Sequence, residues 1–328
     1  MSMEPLDITQ YQPVKSEPTI QALAVGGGKG GVGKSLFTTC LANLLGNMGK
    51  RVILMDADLG GANLNMMLGI RVPEATLDDF ILRRVDSLDD ILLETSLPNV
   101  RLIAGGSETP ALANPNFGQK TRILRALLKL SADYLLVDLG AGSSLNTLDF
   151  FLSCPQRLLV MSAQPTSLQN AYSFVKVALY RRIGRILSKT TLRGMLDARP
   201  GINDEEIPLA LDDILNEISF RAPEALTEVR EAILELKIKL VLNMVHDPRE
   251  AQIGQVLEKT CQQYLGLDVD VLGSIPYDPE LVRWASRMNT SALASARKGI
   301  ALPAIHDIAC RIIAVSSKEV PGSEEQAA

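Results

Sequence analysis

The run Gly28-Lys29-Gly30-Gly31-Val32-Gly33-Lys34-Ser35 satisfies the pattern G-x-x-x-x-G-K-[ST], whose residue types suit one kind of chemistry. Glycines let the backbone curl so that its N–H groups point at a phosphate, and a following helix adds the positive end of its dipole. Gly28, Gly30, Gly31, Val32 and Gly33 are therefore expected to line a phosphate cradle. Lys34 is expected to reach the β- and γ-phosphates of ATP, and the Ser35 hydroxyl to ligate Mg²⁺. An apolar run at 20–25 precedes the loop and a helical pattern at 35–48 follows it, the strand–loop–helix setting that the motif needs.

Two acidic segments follow in order. Asp56-Ala-Asp58-Leu-Gly-Gly-Ala-Asn63 continues the apolar run 51–56. A carboxylate just past a strand's C-terminal end faces the place where a γ-phosphate would sit. Asp138-Leu-Gly140-Ala-Gly142 continues the run 134–138. Asp-x-Gly at a strand end is common, and its weight comes from its order after the glycine-rich loop. Gly140 and Gly142 leave that loop able to change shape with the γ-phosphate.

Those residues need strands to carry them. Further short apolar runs stand at 100–104, 158–162, 240–245 and 271–275, with helical spacing at 121–130, 252–265 and 303–315. Apolar strands alternating with helices predict an α/β fold: a doubly wound, mostly parallel sheet with helices on both faces. Residues 1–19, with Pro5, Pro13 and Pro18, are expected to be a flexible leader, 20–316 a single ATPase domain, and 317–328 a disordered tail. No internal repeat is visible.

One stretch breaks the rhythm. From 181 to 236 there is no strand signal, and a helical insertion is expected. Residues 181–193 carry Arg181, Arg182, Arg185, Lys189 and Arg193 without an acid. Residues 194–236 hold 11 acids against Arg199, Arg221 and Arg230. Ile207, Leu211, Ile214 and Ile218, then Leu226, Val229, Ile233 and Leu236, predict two amphipathic helices around a break at 221–223. If one helix ran through the bases, Arg181, Arg185, Lys189 and Arg193 would form a stripe for a partner protein or DNA. The plain alternative is a solvated face. No aromatic residue interleaves the bases, so DNA has only weak support.

Composition bounds the rest. The chain has 328 residues, 46% hydrophobic and 22% charged, with a net charge of −5, which supports a buried core and opposes a whole-surface grip on nucleic acid. No apolar run is long enough to span a membrane and no signal layout opens the chain, so a cytoplasmic location is expected. Cys40, Cys154, Cys261 and Cys310 form no CxxC pair and are expected in the core. His246 and His306 are isolated and read as structural, and Trp284 reads as a packing residue.

Lys29, directly after Gly28, gives KGGVGKS, and this loop resembles the deviant Walker A loop of the MinD/ParA ATPases. The resemblance covers most of 20–315 and is nearest to the MinD and FlhG/FleN branch. It implies that Lys29 crosses a homodimer to the partner's nucleotide, that Asp58 activates the attacking water, and that Asn63 helps form the ATP-linked dimer. It implies that Asp138 supports Mg²⁺ through water. The segment Ala163-Gln-Pro165-Thr-Ser167-Leu-Gln-Asn-Ala-Tyr172 resembles a family element after the next strand, and Asn243 and Pro276 become adenine-site candidates by resemblance. The implied function is a slow, partner-stimulated ATPase switch that positions flagella, a division site or chromosomal cargo.

The sequence also departs from those relatives. Its acidic, proline-containing end contrasts with their basic amphipathic membrane-targeting helix, residues 1–20 hold no DQAxxLR-like activator segment, and the stretch 181–236 is long. A partner or activator would have that stretch as its candidate seat. Two other classes share the fold: ATP-dependent ligases or amidases that phosphorylate a carboxylate, and iron–sulfur carriers. The second needs closely placed cysteines, which this sequence does not offer.

Overall fold

Runs such as QALAVG, VILMDA and YLLVDL lack polar alternation, so both faces of each strand must be covered. The computed structural model describes residues 20–58, 61–106, 115–193, 195–196, 210–287 and 299–318; the expected leader and residues 319–328 of the expected tail lie outside them. In chain order the described elements are β1 (Gln21–Gly26), α1 (Lys34–Asn47), β2 (Val52–Ala57), α2 (Leu64–Met67), α3 (Leu77–Ile81), β3 (Leu92–Glu94) and β4 (Val100–Ile103). Then come α4 (Phe117–Leu127), β5 (Tyr134–Leu139), α5 (Leu145–Ser153), β6 (Gln156–Ser162), α6 (Pro165–Leu187), α7 (Leu211–Arg221) and α8 (Pro223–Glu235). The chain continues through β7 (Ile238–Val245), α9 (Gln252–Leu265), β8 (Val269–Pro276), α10 (Pro279–Arg287) and α11 (Ala301–Lys318).

The strands form one sheet in the order β3-β4-β2-β5-β1-β6-β7-β8, parallel throughout except for β3 against β4. Side chains alternate across it as the strand period demands. Leu23 and Val25 enter a core with Phe37, Leu41 and Ile308, beneath α1 and α11. Ala22 and Ala24 enter the opposite core with Phe151, Phe174 and Ile183, beneath α5 and α6. Trp284 is buried in the first of these, as expected of a packing residue. Among the described residues no helix is long and apolar enough to cross a membrane.

The strands expected from apolar runs form within two residues of their expected ends. β3 is the addition, a three-residue antiparallel edge. Helix α11 extends to Lys318, two residues past the expected domain end.

The stretch 181–236 departs further from expectation. The helix break falls at Ala222, as the pattern predicts, but α7 and α8 lie on the main core through Ile214, Ile218, Val229 and Ile233. The basic stripe does not form. α6 begins at Pro165 and stops at Leu187, so Lys189 and Arg193 lie beyond it. Arg181 and Arg185, one turn apart, turn instead onto Asp149 of α5, at 3.0 and 2.6 Å, and Lys120 of α4 reaches the same carboxylate at 2.5 Å. Arg182 pairs with Glu235 at the end of α8. Residues 194 and 197–209, with part of the acidic run, lie outside the described residues.

One carboxylate thus ties α4, α5 and α6 together. Burial alone would raise the Asp149 pKa, but Arg181, Lys120 and Arg185 outweigh it and hold it below the ordinary value. A depressed carboxylate contributes stability that is present above the ordinary range near pH ~4 and is lost as the pH falls through the folded-state value. Asp149→Asn is expected to cost about 2 kcal/mol in denaturant unfolding at pH 7. That is less than for a fully buried pair, because Arg181 and Arg185 remain 30% and 33% exposed. The difference from wild type should shrink as the pH approaches 3.

Candidate phosphate site at the strand ends

β1 stops at Gly26 and α1 starts at Lys34, and the seven residues between them form the glycine-rich loop. Gly33 is the N-cap of α1 with φ 81°, a left-handed conformation that favours glycine. No side chain caps α1 and no acid occupies its first turn, so its positive end is left for an anion. Gly28 packs against the backbone carbonyl of Asn170 in α6 so closely that a Cβ there would overlap it. Gly30 and Gly31 are exposed, and Val32 is buried with its carbonyl accepting from Asn243 Nδ2 at 2.8 Å.

Behind the loop lies a buried carboxylate. Asp138, at the end of β5, is 2% exposed and accepts from Ser35 Oγ at 2.5 Å, with Lys34 Nζ at 3.4 Å. The Thr38 hydroxyl, one turn further along α1, sits between the Lys34 carbonyl oxygen at 2.8 Å and Asp138 Oδ1 at 3.2 Å. Burial pushes the Asp138 carboxyl up, while Lys34, Ser35 and Thr38 favour its charged form. Thr38 was not expected; a hydroxyl four residues past the motif lysine is the signal that marks it.

The acidic segment after β2 is organised by a residue that motif reading passed over. Asp56, 1% exposed, accepts from the backbone N–H of Asp58 at 3.1 Å, of Asn63 at 2.9 Å and of Leu64 at 3.0 Å. Burial, with a smaller push from nearby Asp138, raises its pKa to about 6 against those three donors. Its visible signal is its place as the first acid of Asp-Ala-Asp at a strand end. The Asp58 carboxylate lies over Gly140, 3.1 Å from where a Cβ would stand. The Gly142 N–H donates to the Gly27 carbonyl at 3.0 Å, so the loops after β1, β2 and β5 meet.

The remaining candidates are placed more widely. Lys29 is exposed, with Nζ 3.3 Å from Thr166 Oγ1 in the first turn of α6. Asn63 is exposed and its side chain donates to the Gly61 carbonyl. Asn243 reaches the phosphate loop, whereas Pro276 ends the next strand out, level with Val245. His246 stacks on Tyr277 beside these strand ends, with centroids 4.6 Å apart. Cys40, Cys154 and Cys261 are buried, each thiol pushed up to about 12 mainly by burial, but Cys310 is exposed on α11 and is not the core residue expected.

The donor set fits a phosphate and a hard cation. Lys34 and the uncapped head of α1 supply positive charge, while Ser35 and Asp138 supply the oxygen ligands that Mg²⁺ takes.

The chain is similar to several known proteins. Antiactivator FleN of Pseudomonas aeruginosa is 29% identical over 269 residues, covering 81% of this chain and 76% of that protein. The flagellum site-determining protein YlxH of Helicobacter pylori is 32% identical over 162 residues, covering 47% of this chain and 52% of that one. The fold matches that of a septum site-determining protein MinD, complexed with Mg-ADP, from Pyrococcus horikoshii. There the TM-score is 0.62 at 19% identity, over 92% of this chain and 100% of that one. A family model, the CobQ/CobB/MinD/ParA nucleotide binding domain, matches residues 23–291, and the chain belongs to that family.

Proposed function

We propose that the chain is an ATP-binding and ATP-hydrolysing switch whose two copies close face to face around nucleotide. The observation that carries this reading is the buried Lys34–Asp138–Ser35 group beneath an uncapped helix head, with Asp58 alongside over Gly140. Backbone from Gly28 to Gly33 holds the phosphates, and Lys34 neutralises charge that develops as the γ-phosphoryl leaves. Mg²⁺, held by Ser35 and supported by Asp138, supplies further charge neutralisation when bound. Asp58 orients the attacking water, with Gly140 in the loop beside it. Asn63 helps hold the ATP-linked dimer. In this reading Asn243 and Pro276 are the residues that would meet the adenine.

Lys29 is exposed at the mouth of the loop, and in this reading it leaves Thr166 to reach the partner copy's phosphates. That is the physics of an arginine finger supplied by a neighbour. Similarity to the flagellum site-determining protein YlxH supports placement of flagella as the output, with division-site or chromosomal placement as the other readings. A protein partner would then stimulate slow hydrolysis, in the cytoplasm.

Solution mass by light scattering, with ADP and with ATP, tests the reading. A dimer is expected only with ATP, persisting in Asp58→Ala and absent in Lys29→Ala. ATP turnover in both variants should fall at least ~100-fold. A mass indifferent to nucleotide would remove the switch, and turnover that needs an added small carboxylate would favour a ligase.

Asp56 is assigned as the positioning residue of the 58–63 segment. Asp56→Ala removes a charged acceptor from three amides. Hydrogen exchange at Asn63 and Leu64 should quicken by at least about tenfold, in line with roughly 1.5–3 kcal/mol for a hydrogen bond to a charged group.

A further inference from the structure

Lys120, Arg181 and Arg185 close on Asp149, and one carboxylate cannot balance three cations. Arg181 meets it side-on, Nε to Oδ1 at 3.0 Å and a terminal nitrogen to Oδ2 at 3.3 Å. Arg185 donates to Oδ1 at 2.6 Å and Lys120 to Oδ2 at 2.5 Å. Four accepted bonds fill the carboxylate. The donors are not filled. Among the described residues Arg181 keeps one terminal nitrogen without a partner, Arg185 keeps Nε and a terminal nitrogen, and Lys120 keeps two protons. The cluster is left two charges positive.

Neighbouring groups do not cancel that surplus. Arg182, beside Arg185, is already bonded to Glu235. Arg157 lies next to Arg182 and donates only to the Leu152 and Pro155 carbonyls. Asp213 approaches Tyr180, but it accepts from the Ala210 N–H and pairs with none of these cations. On a fully solvated face water would screen such a surplus. Here the Lys120 side chain is 15% exposed and the two arginines 30% and 33%, so their repulsion is less well screened. A phosphate monoester brings close to two negative charges and three acceptor oxygens, whereas a carboxylate or a phosphodiester brings one charge. Guanidinium groups match phosphate oxygens in geometry as well as in charge.

We propose that Lys120, Arg181 and Arg185 hold a phosphate dianion, free or as a monoester, on the outer side of Asp149. Asp149 sets the spacing of the three cations. An α-helix rises ~1.5 Å per residue, so Arg181 stands roughly 22 Å along α6 from Thr166, where Lys29 rests. The site is separate from the glycine-rich loop, and the inference stands apart from the nucleotide reading.

Isothermal titration calorimetry on the full-length protein tests it. Titrations are run with saturating Mg-ADP and again in Lys34→Ala, so that the glycine-rich loop is filled in one case and disabled in the other. In both, phenyl phosphate should bind at least about tenfold more tightly than dimethyl phosphate or acetate. Inorganic phosphate binding more tightly than phenyl phosphate makes the free ion the occupant, and the reverse order makes it a phosphorylated molecule; either order supports the site. Arg185→Gln and Lys120→Gln should each weaken phenyl phosphate at least about tenfold. Asp149→Asn leaves the cations unopposed and should tighten it about tenfold, which the loss of a purely structural carboxylate would not do. Thermal midpoints establish that each variant is folded at the titration temperature. No binding by the wild type, equal affinity for phenyl and dimethyl phosphate, or affinity unchanged in all three variants overturns the proposal. Binding lost in Lys34→Ala and kept in Arg185→Gln also overturns it, since the loop would then be the site. So does binding that appears only after Asp204→Asn, Glu205→Gln and Glu206→Gln, since the chain's own acids would then be the occupant.

Discussion

A carboxylate buried at the end of a central strand is tolerable only when its charge is met on several sides. Asp138 meets that condition through Lys34, Ser35 and Thr38, all from the first turns of α1. The helix must therefore begin directly above β5, although it is connected to β1. Seven residues are available to turn the chain from β1 into α1. They succeed because Gly33 takes a left-handed conformation and Gly28 slips under the α6 backbone. The phosphate loop is shaped by the need to satisfy Asp138 as much as by any ligand.

Strand order supplies the second carboxylate. β2 is set one place away from β1 and β5 fills the gap, which makes Asp56 and Asp138 register partners on adjacent strands. Burial, with a smaller push from Asp138 beside it, raises Asp56 to about 6. The same carboxylate holds the amides of Asp58, Asn63 and Leu64. A positive charge arriving near Asp138 favours the ionised form of Asp56 and strengthens its grip on those amides. Charge in the site and the shape of the 58–63 segment are coupled through one side chain.

This coupling shows where sequence reading ends. Strands buried on both faces announce themselves as unbroken apolar runs, so β1, β2 and β4–β8 were legible nearly to their ends. β3 was not, because three residues paired along an edge leave no period to detect. The loop from Gly28 to Ser35 and the acids Asp58 and Asp138 were legible because their chemistry fixes residue type and spacing together. Asp56 and Thr38 act by what they accept from or donate to in the folded chain. The bond from Asn243 to the Val32 carbonyl joins residues 211 positions apart, and nothing local encodes it.

The segregation of charge at 181–236 was legible, but its destination was not. Helical spacing alone cannot say which way Arg181 and Arg185 face. Asp149, buried and otherwise uncompensated, draws both inward with Lys120, so these bases of the stretch are turned toward the fold. Among the described residues, the acids of α7 and α8 have ion pairs only from Glu217 to Arg221 and from Glu235 to Arg182. Asp212, Asp213, Glu231 and Glu235 stand near the N-terminal edge of the sheet, with Arg182 meeting Glu235 alone. Lys29 and Lys34 stand at the opposite edge. Arg181 and Arg185 turn to one internal carboxylate while Asp212, Asp213 and Glu231 stay at the surface, so the stretch shows its acids and partly hides those bases.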